Sequence, residues 1–141
     1  MSRFLGVDFG VKRIGLAVGE AGSGIATPLR VLNARPATAE NAAAILAAAQ
    51  EYDAAGIVIG LPLNMDGTEG QQAQRSRQLA AALRRRTKRA VVLHDERLTS
   101  FAADQKLAGR GLSRGKKKAR QDALAAAAIL QSFFDRSQRR T

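Results

Sequence analysis

Several residue types that would direct a small protein toward particular chemistry are missing here. The 141 residues contain no cysteine and no tryptophan, and aromatic residues make up 4% of the chain. Without cysteine, a disulfide framework, a zinc ribbon and a thiol nucleophile are excluded. The longest apolar run, Ala123 to Leu130, is far shorter than the roughly 20 residues of a membrane span. No segment near the start of the sequence has the pattern of a secretory signal peptide. We therefore expect a soluble, cytoplasmic protein that does not bind membranes.

The composition is that of a folded domain with a strong positive charge. Hydrophobic residues make up 45% of the chain, which excludes a disordered basic tail. The length predicts one domain spanning residues 1–141.

The formal net charge of +11 is concentrated in one part of the chain. Residues 1–60 carry five basic and five acidic side chains, whereas residues 61–141 carry eighteen basic and seven acidic ones. Three clusters dominate, at 84–89, 114–120 and 136–140. Positive charge segregated in this way favours nucleic acid as a partner. A solvated basic face is the alternative.

The hydrophobic pattern predicts an α/β fold with the element order βββαβαβαα and a mixed five-stranded sheet flanked by helices. The predicted strands cover residues 3–9, 13–18, about 25–32, 56–60 and 90–94. Pro28 predicts an edge strand or a bulge. The apolar run 56–60 is typical of a buried parallel strand. The predicted helices run from Thr38 to about Tyr52, from a capping box at Thr68 and Gln71 to about Arg86, from Thr99 or Ser100 to about Gly109, and from about Lys116 to Phe134.

Three acidic residues are hard to explain as surface residues. Asp8 lies inside the first predicted strand, where a carboxylate is costly unless it is paired or binds a metal. Lys12 or Arg13 across the turn could pair with it. Asp122 shares a helical stripe with apolar residues and should face the sheet. Asp95 and Glu96 end the last strand, and alternation predicts that they point to opposite sides.

A sheet that brings these strand ends together would concentrate negative charge, which requires cations. Oxygen ligands favour Mg²⁺ or Mn²⁺ over zinc. Two such ions about 4 Å apart can activate water for phosphodiester hydrolysis. An acidic metal site within a basic surface therefore indicates a metal-dependent nuclease.

Four motifs resemble the YqgF family, bacterial proteins related to the Holliday junction resolvase RuvC and described as nucleases of pre-16S rRNA. They are the segments 5–18 (LGVDFGVKRIGLAV), 57–67 (IVIGLPLNMDG) and 95–100 (DERLTS), and Lys116-Lys117 with Asp122, Ala125-Ala126 and Ile129-Leu130. Together they extend along the whole chain in the order found in the family.

The resemblance implies an RNase H-like fold and a hydrolase that processes rRNA during ribosome biogenesis. By position, Asp8, Glu96 and Asp122 are the expected catalytic and metal-binding acids. The resolvases carry their second acid at the end of the fourth strand, where this chain has Gly60-Leu61-Pro62. Asn64, Thr99 and Ser100 are expected to line the site. The expected nucleic-acid-binding residues are Lys12, Arg13, Arg97, Arg114, Lys116, Lys117 and Lys118.

Other roles remain open from the sequence. His94 is expected to be packed or hydrogen-bonded rather than catalytic, and Asp66 to be a turn residue; whether Asp66 or Asp95 contributes to the site is open. The substrate is either RNA, as free pre-16S rRNA or on ribosomal particles, or structured DNA such as a junction. A monomer and a homodimer are both compatible. A nucleic-acid-binding factor without catalysis is a further alternative, and an actin-like phosphotransferase is disfavoured because the chain is too short.

Overall fold

The computed structural model describes residues 2–99 and 114–138, with side chains over 2–99 and 121–137. The strands are β1 (Arg3–Phe9), β2 (Arg13–Glu20), β3 (Ile25–Asn33), β4 (Gly56–Leu61) and β5 (Ala90–Asp95). The helices are α1 (Thr38–Glu51), α2 (Gln71–Arg86) and α3 (Arg114–Gln138), and a 3₁₀ turn covers Glu96–Leu98. The helix predicted to end near Gly109 lies outside the described residues.

The five strands form one mixed sheet in the order β3-β2-β1-β4-β5. The β1, β2 and β3 strands pair antiparallel, whereas β4 lies parallel to both β1 and β5. Every residue of β4 is buried, so the predicted buried parallel strand is confirmed. The carboxyl ends of β1, β4 and β5 consequently meet at one edge, which we call the carboxyl edge; the opposite one is the amino edge.

Alternation along β1 sends its side chains to two different hydrophobic cores. Leu5, Val7 and Phe9 belong to the core that also contains residues of α1 and α2. On the other face, α3 packs its buried residues Ala126, Ala127, Ile129, Leu130 and Phe134 against Ala17 and Val58. The sheet is thus covered on both faces, and Asp8 has the parity of the α3 side.

Two local predictions have different outcomes. Pro28 lies in β3, at the edge of the sheet, and the β2–β3 register shifts between Leu16 and Ala17, beside Pro28, so the predicted edge or bulge is confirmed. The prediction of a capping box at Thr68 and Gln71 is wrong. Residue Gly70 precedes α2 without a side-chain cap, because the Thr68 hydroxyl donates to the carboxylate of Asp66 instead.

No helix in the described ranges is long and apolar enough to cross a membrane.

Candidate active site

Two acidic residues occupy the carboxyl edge on neighbouring parts of the sheet. Asp8 is the next-to-last residue of β1, and Glu96 directly follows the last residue of β5. Strand β4 lies between their strands and runs parallel to both. The chain therefore brings together two carboxylates that are 88 positions apart in sequence.

The Asp8 carboxyl group is largely buried, and its affinity for a proton is raised as a result. Burial, and secondarily the negative charge of Asp122, raise its pKa from 3.8 to about 6. In the described part of the chain, neither Lys12 nor Arg13 forms an ion pair with Asp8. The alternative of local neutralisation by Lys12 or Arg13 is therefore not formed, and burial of the Asp8 carboxyl group destabilises the fold.

Glu96 has a similar environment. Burial, and secondarily the negative charges of Asp8 and then Asp95, raise its pKa from 4.5 to about 7. Gly60 at the end of β4 leaves the space for this side chain, because a Cβ atom there would lie 2.9 Å from the carboxyl carbon of Glu96. Asp8 and Glu96 thus repel each other in a partly desolvated site.

The third expected acid, Asp122, is held by a basic residue from the hairpin. The Arg13 Nε atom donates to Asp122 Oδ2 at 2.5 Å, and both side chains are partly buried. The backbone of α3 approaches β2 so closely that a Cβ on Gly15 would lie within 2 Å of the Asp122 carbonyl oxygen. Asp122 consequently faces the sheet as predicted, and its negative charge reaches Asp8.

Asp95 has a structural role beside the site. Its carboxylate accepts from the Arg97 backbone N–H at 2.9 Å and from the Arg97 guanidinium at 2.8 Å. These bonds lower the pKa of Asp95, in contrast to the raised pKa of Glu96. The prediction that the two acids point to opposite sides is confirmed. Arg97, expected to bind nucleic acid, is held by Asp95 and also donates to the Met65 carbonyl oxygen at 3.3 Å.

The loop between β4 and α2 is ordered by its own polar side chains. The Asn64 amide donates to the Thr68 hydroxyl at 2.9 Å, and Asp66 accepts from the Thr68 backbone N–H at 3.0 Å. Gly67 has φ +88°, which favours glycine. Asp66 is thus a turn residue, as predicted. Asn64, expected to line the site, is exposed, and the contact described for its side chain lies within this turn.

Other expected site residues have varied positions. The Thr99 hydroxyl donates to the Glu96 carbonyl oxygen at 3.0 Å, directly beside the site. His94 is buried and lies 2.9 Å from the Ser132 hydroxyl, so its predicted packing role is confirmed. Lys12 is exposed in the β1–β2 turn. Ser100 and the side chains of Arg114, Lys116, Lys117 and Lys118 lie outside the described residues.

The donor set suits a hard divalent cation, although the three acids do not form a ready cluster. Within residues 2–99 and the described part of α3, no group of three or more His, Asp or Glu side chains could together hold a metal ion. Asp8 and Glu96 fit as ligands, since they are partly buried carboxylates that repel each other and Mg²⁺ and Mn²⁺ prefer oxygen ligands. Asp122 has the right chemistry but is bound to Arg13.

Sequence reasoning missed how the site is shaped. It did not find the pairing of Arg13 with Asp122, which joins residues 109 positions apart. It also missed the space provided by Gly15 and Gly60. A glycine within a strand often marks a close approach of another backbone or side chain, so these two glycines carried a usable signal.

The fold is that of the RuvC-like resolvases. The structure of T. thermophilus RuvC in complex with a Holliday junction substrate superposes with a TM-score of 0.58 at 16% sequence identity, covering 98% of this chain and 96% of that one. This likeness shows that the chain has the RNase H-like fold of these resolvases.

The family model described as "RuvX: Holliday junction resolvase" matches residues 2–136, and the chain belongs to this family. It is the YqgF family that the motifs indicated. A protein of Nitrobacter hamburgensis named "Putative pre-16S rRNA nuclease" is 45% identical over 132 residues, which are 94% of this chain and 80% of the relative. One of the same name from Anaeromyxobacter dehalogenans is 46% identical over 134 residues, covering 95% of this chain and 97% of the relative.

Proposed function

We propose that this protein is a metal-dependent nuclease that hydrolyses phosphodiester bonds in RNA and matures the 5′ end of pre-16S rRNA in the bacterial cytoplasm. The observation that carries the proposal is the pair of partly buried carboxylates, Asp8 and Glu96, with raised pKa values at the carboxyl edge. Keeping two such groups close together costs stability, which is typical of functional sites. The names of the relatives support the substrate.

Asp8 and Glu96 would hold the first divalent ion, Mg²⁺ or Mn²⁺, and Asp122 would join them or complete a second site once Arg13 releases it. When bound, such ions lower the pKa of water and stabilise negative charge on the phosphate. The protein's own contribution is to hold the carboxylates in a partly desolvated edge of the sheet, where their interaction with a cation is strong.

The polar surroundings would orient the substrate. Lys12 is exposed in the turn next to Asp8, and a phosphate approaching the site would meet its positive charge. Arg13, once exchanged from Asp122, would be a second phosphate contact, since its guanidinium matches phosphate oxygens well. Thr99 would fix the backbone of Glu96 through its hydrogen bond to the Glu96 carbonyl oxygen.

Branched DNA is the second candidate substrate. The matched family is described as a Holliday junction resolvase, and the RuvC structure contains junction DNA. Symmetric cutting of two strands would need a dimer. The two substrates are separated by incubating the purified chain with pre-16S rRNA or with a four-way DNA junction, each with and without Mn²⁺.

The decisive variant is Asp8→Asn, which keeps the shape of the side chain and removes its charge. We expect Mn²⁺-dependent cutting of the rRNA to be lost while binding in EDTA is kept. Asp66→Asn is the matched control, because Asp66 lies in the exposed turn. A variant at Asp8 that cuts at the wild-type rate would disprove the mechanism. Binding without any cutting by the wild type would favour a factor without catalysis.

A further inference from the structure

A cluster of basic residues lies far from the candidate active site. The chain turns from α2 into β5 through Arg84, Arg85, Arg86, Lys88 and Arg89, which we call the amino-edge patch. The patch carries five positive charges within six residues and contains no acid. Arg84, Arg85, Arg86 and Lys88 are exposed.

The position of the patch follows from the direction of the chain. Arg89 directly precedes the first residue of β5, whereas Glu96 directly follows its last residue. The six residues of β5 span about 20 Å at roughly 3.3 Å per residue. The 16 residues of α2, which returns the chain from the carboxyl edge, span about 24 Å. The patch and the acids therefore lie at opposite edges of the sheet.

Two of the five basic side chains have structural bonds. The Arg84 guanidinium donates to the Val91 carbonyl oxygen at 2.7 Å, and the Arg89 Nε atom donates to the Ala54 carbonyl oxygen at 2.8 Å. These two hydrogen bonds connect the patch to the start of β5 and to the turn before β4. Arg85 and Lys88 make no such contact among the described residues, and Arg86 bonds only within its own helix.

The nearby acids do little to neutralise the patch. Glu20 at the end of β2 pairs with Arg3 at 3.0 Å, and Glu51 at the end of α1 pairs with Arg30 at 3.0 Å. Asp53, in the turn before β4, is the remaining acid beside these elements. A group of exposed arginines and lysines with an excess of positive charge favours phosphate-rich partners.

We infer that the amino-edge patch is a second RNA-binding surface, which holds the phosphates of a substrate segment away from the bond that is cut. The inference rests on the proposed function and adds a requirement on substrate length. A separation of about 20–24 Å, estimated above, corresponds to about six to seven nucleotides at roughly 3.4 Å each. An RNA that reaches both edges must be longer than that, because it follows the surface of the protein.

The test compares the binding of short and long RNA. The variant Arg85→Gln/Arg86→Gln/Lys88→Gln removes three charges and keeps Arg84 and Arg89, whose bonds hold the fold. Fluorescence anisotropy in EDTA measures affinity for labelled single strands of about 4 and about 24 nucleotides, lengths on either side of the span at roughly 3.4 Å per nucleotide. Cleavage plays no part in this measurement.

For the long RNA, we expect the slope of log affinity against log salt to fall in magnitude by about 2, at roughly 0.7 per lost phosphate contact on a single strand. From about 50 to 200 mM salt, the wild type should then lose about 20-fold more affinity than the variant. The short RNA should bind the variant with the wild-type slope, since it can occupy the carboxyl edge alone.

A control variant separates local from overall charge. Arg35→Gln/Arg77→Gln/Arg136→Gln also removes three exposed arginines, but they are spread over the β3–α1 loop, α2 and α3. It should keep more of the wild-type slope for the long RNA than the patch variant does. Equal slopes for the two variants, equal losses for both RNA lengths, or no change at all would each overturn the inference. Metal-dependent cutting that is lost in Asp8→Asn would still support the proposed function in any of these cases.

Discussion

Because Asp8 is partly buried, we predict that Asp8→Asn, which should abolish cutting, raises the free energy of unfolding of the metal-free protein. One pKa unit corresponds to about 1.4 kcal/mol. Because the pKa of Asp8 rises from 3.8 to about 6 on folding, the ionised carboxylate destabilises the metal-free fold by about 3 kcal/mol at pH 8. Asn at this position carries no charge and avoids that cost. Asp8→Asn should therefore be more stable than the wild type.

The sign of the effect also fixes its dependence on pH. Between pH 3.8 and about 6, the folded protein binds a proton at Asp8 that the unfolded chain has released. The stability of the wild type therefore falls as the pH rises through this window. The advantage of Asn should be below about 1 kcal/mol at pH 4 and reach about 3 kcal/mol at pH 8.

Thermal unfolding in EDTA measures this difference directly. For a chain of this length, 3 kcal/mol corresponds to a rise in Tm of about 10 °C. Adding Mn²⁺ at pH 8 should raise the Tm of the wild type and leave that of the variant nearly unchanged, because a ligand stabilises only the state that binds it. Asp66→Asn should show no gain, since hydrogen bonds from Thr68 lower the pKa of that carboxyl. An equal Tm for Asp8→Asn and the wild type at pH 8, or a gain independent of pH, would refute the reasoning.

Three further predictions concern the same edge. Mn²⁺ affinity, measured by calorimetry between pH 5 and 8, should rise with pH. The reason is that Asp8 and Glu96, with pKa values of about 6 and about 7, must lose their protons before they bind the ion. An affinity that does not change with pH would exclude them as ligands. Arg13→Gln should bind Mn²⁺ several-fold more tightly than the wild type, since it frees Asp122; weaker binding would show that Arg13 supports the site instead. Gly15→Ala should lower the free energy of unfolding by about 3 kcal/mol, because its Cβ would collide with the backbone of α3. Gly70→Ala, with open space around it, is its control in denaturant titration, and equal midpoints would contradict the packing.

Much of the fold is predictable because its signals are local. The apolar run at β4 and the alternation in β1 and β5 indicate buried strands. Pro28 marks an edge for a local reason, since it has no N–H to donate. The capping box failed because two local motifs compete for Thr68, and the turn with Asp66 forms instead.

The site is less predictable because its contacts are distant in sequence. Alternation was enough to separate Asp95 from Glu96, and a helical stripe was enough to turn Asp122 toward the sheet. Neither pattern can choose a partner for Arg13. The sequence suggests Asp8, five residues away, but the approach of α3 to β2 brings Asp122 to the guanidinium. Raised pKa values likewise depend on burial and distance, which only the packed fold provides.

The edge strand β3 affects whether copies of the protein aggregate when many of them bind to one polyanion. A bound nucleic acid would neutralise the positive charge that keeps copies of this chain apart in solution, so crowded molecules would lose their electrostatic repulsion. Free strand edges are then the sites at which chains join into extended sheets. Pro28 removes one backbone donor from β3, and the irregular register beside it interrupts the repeat of hydrogen bonds. This edge therefore resists aggregation by strand addition under the conditions in which its charge no longer does.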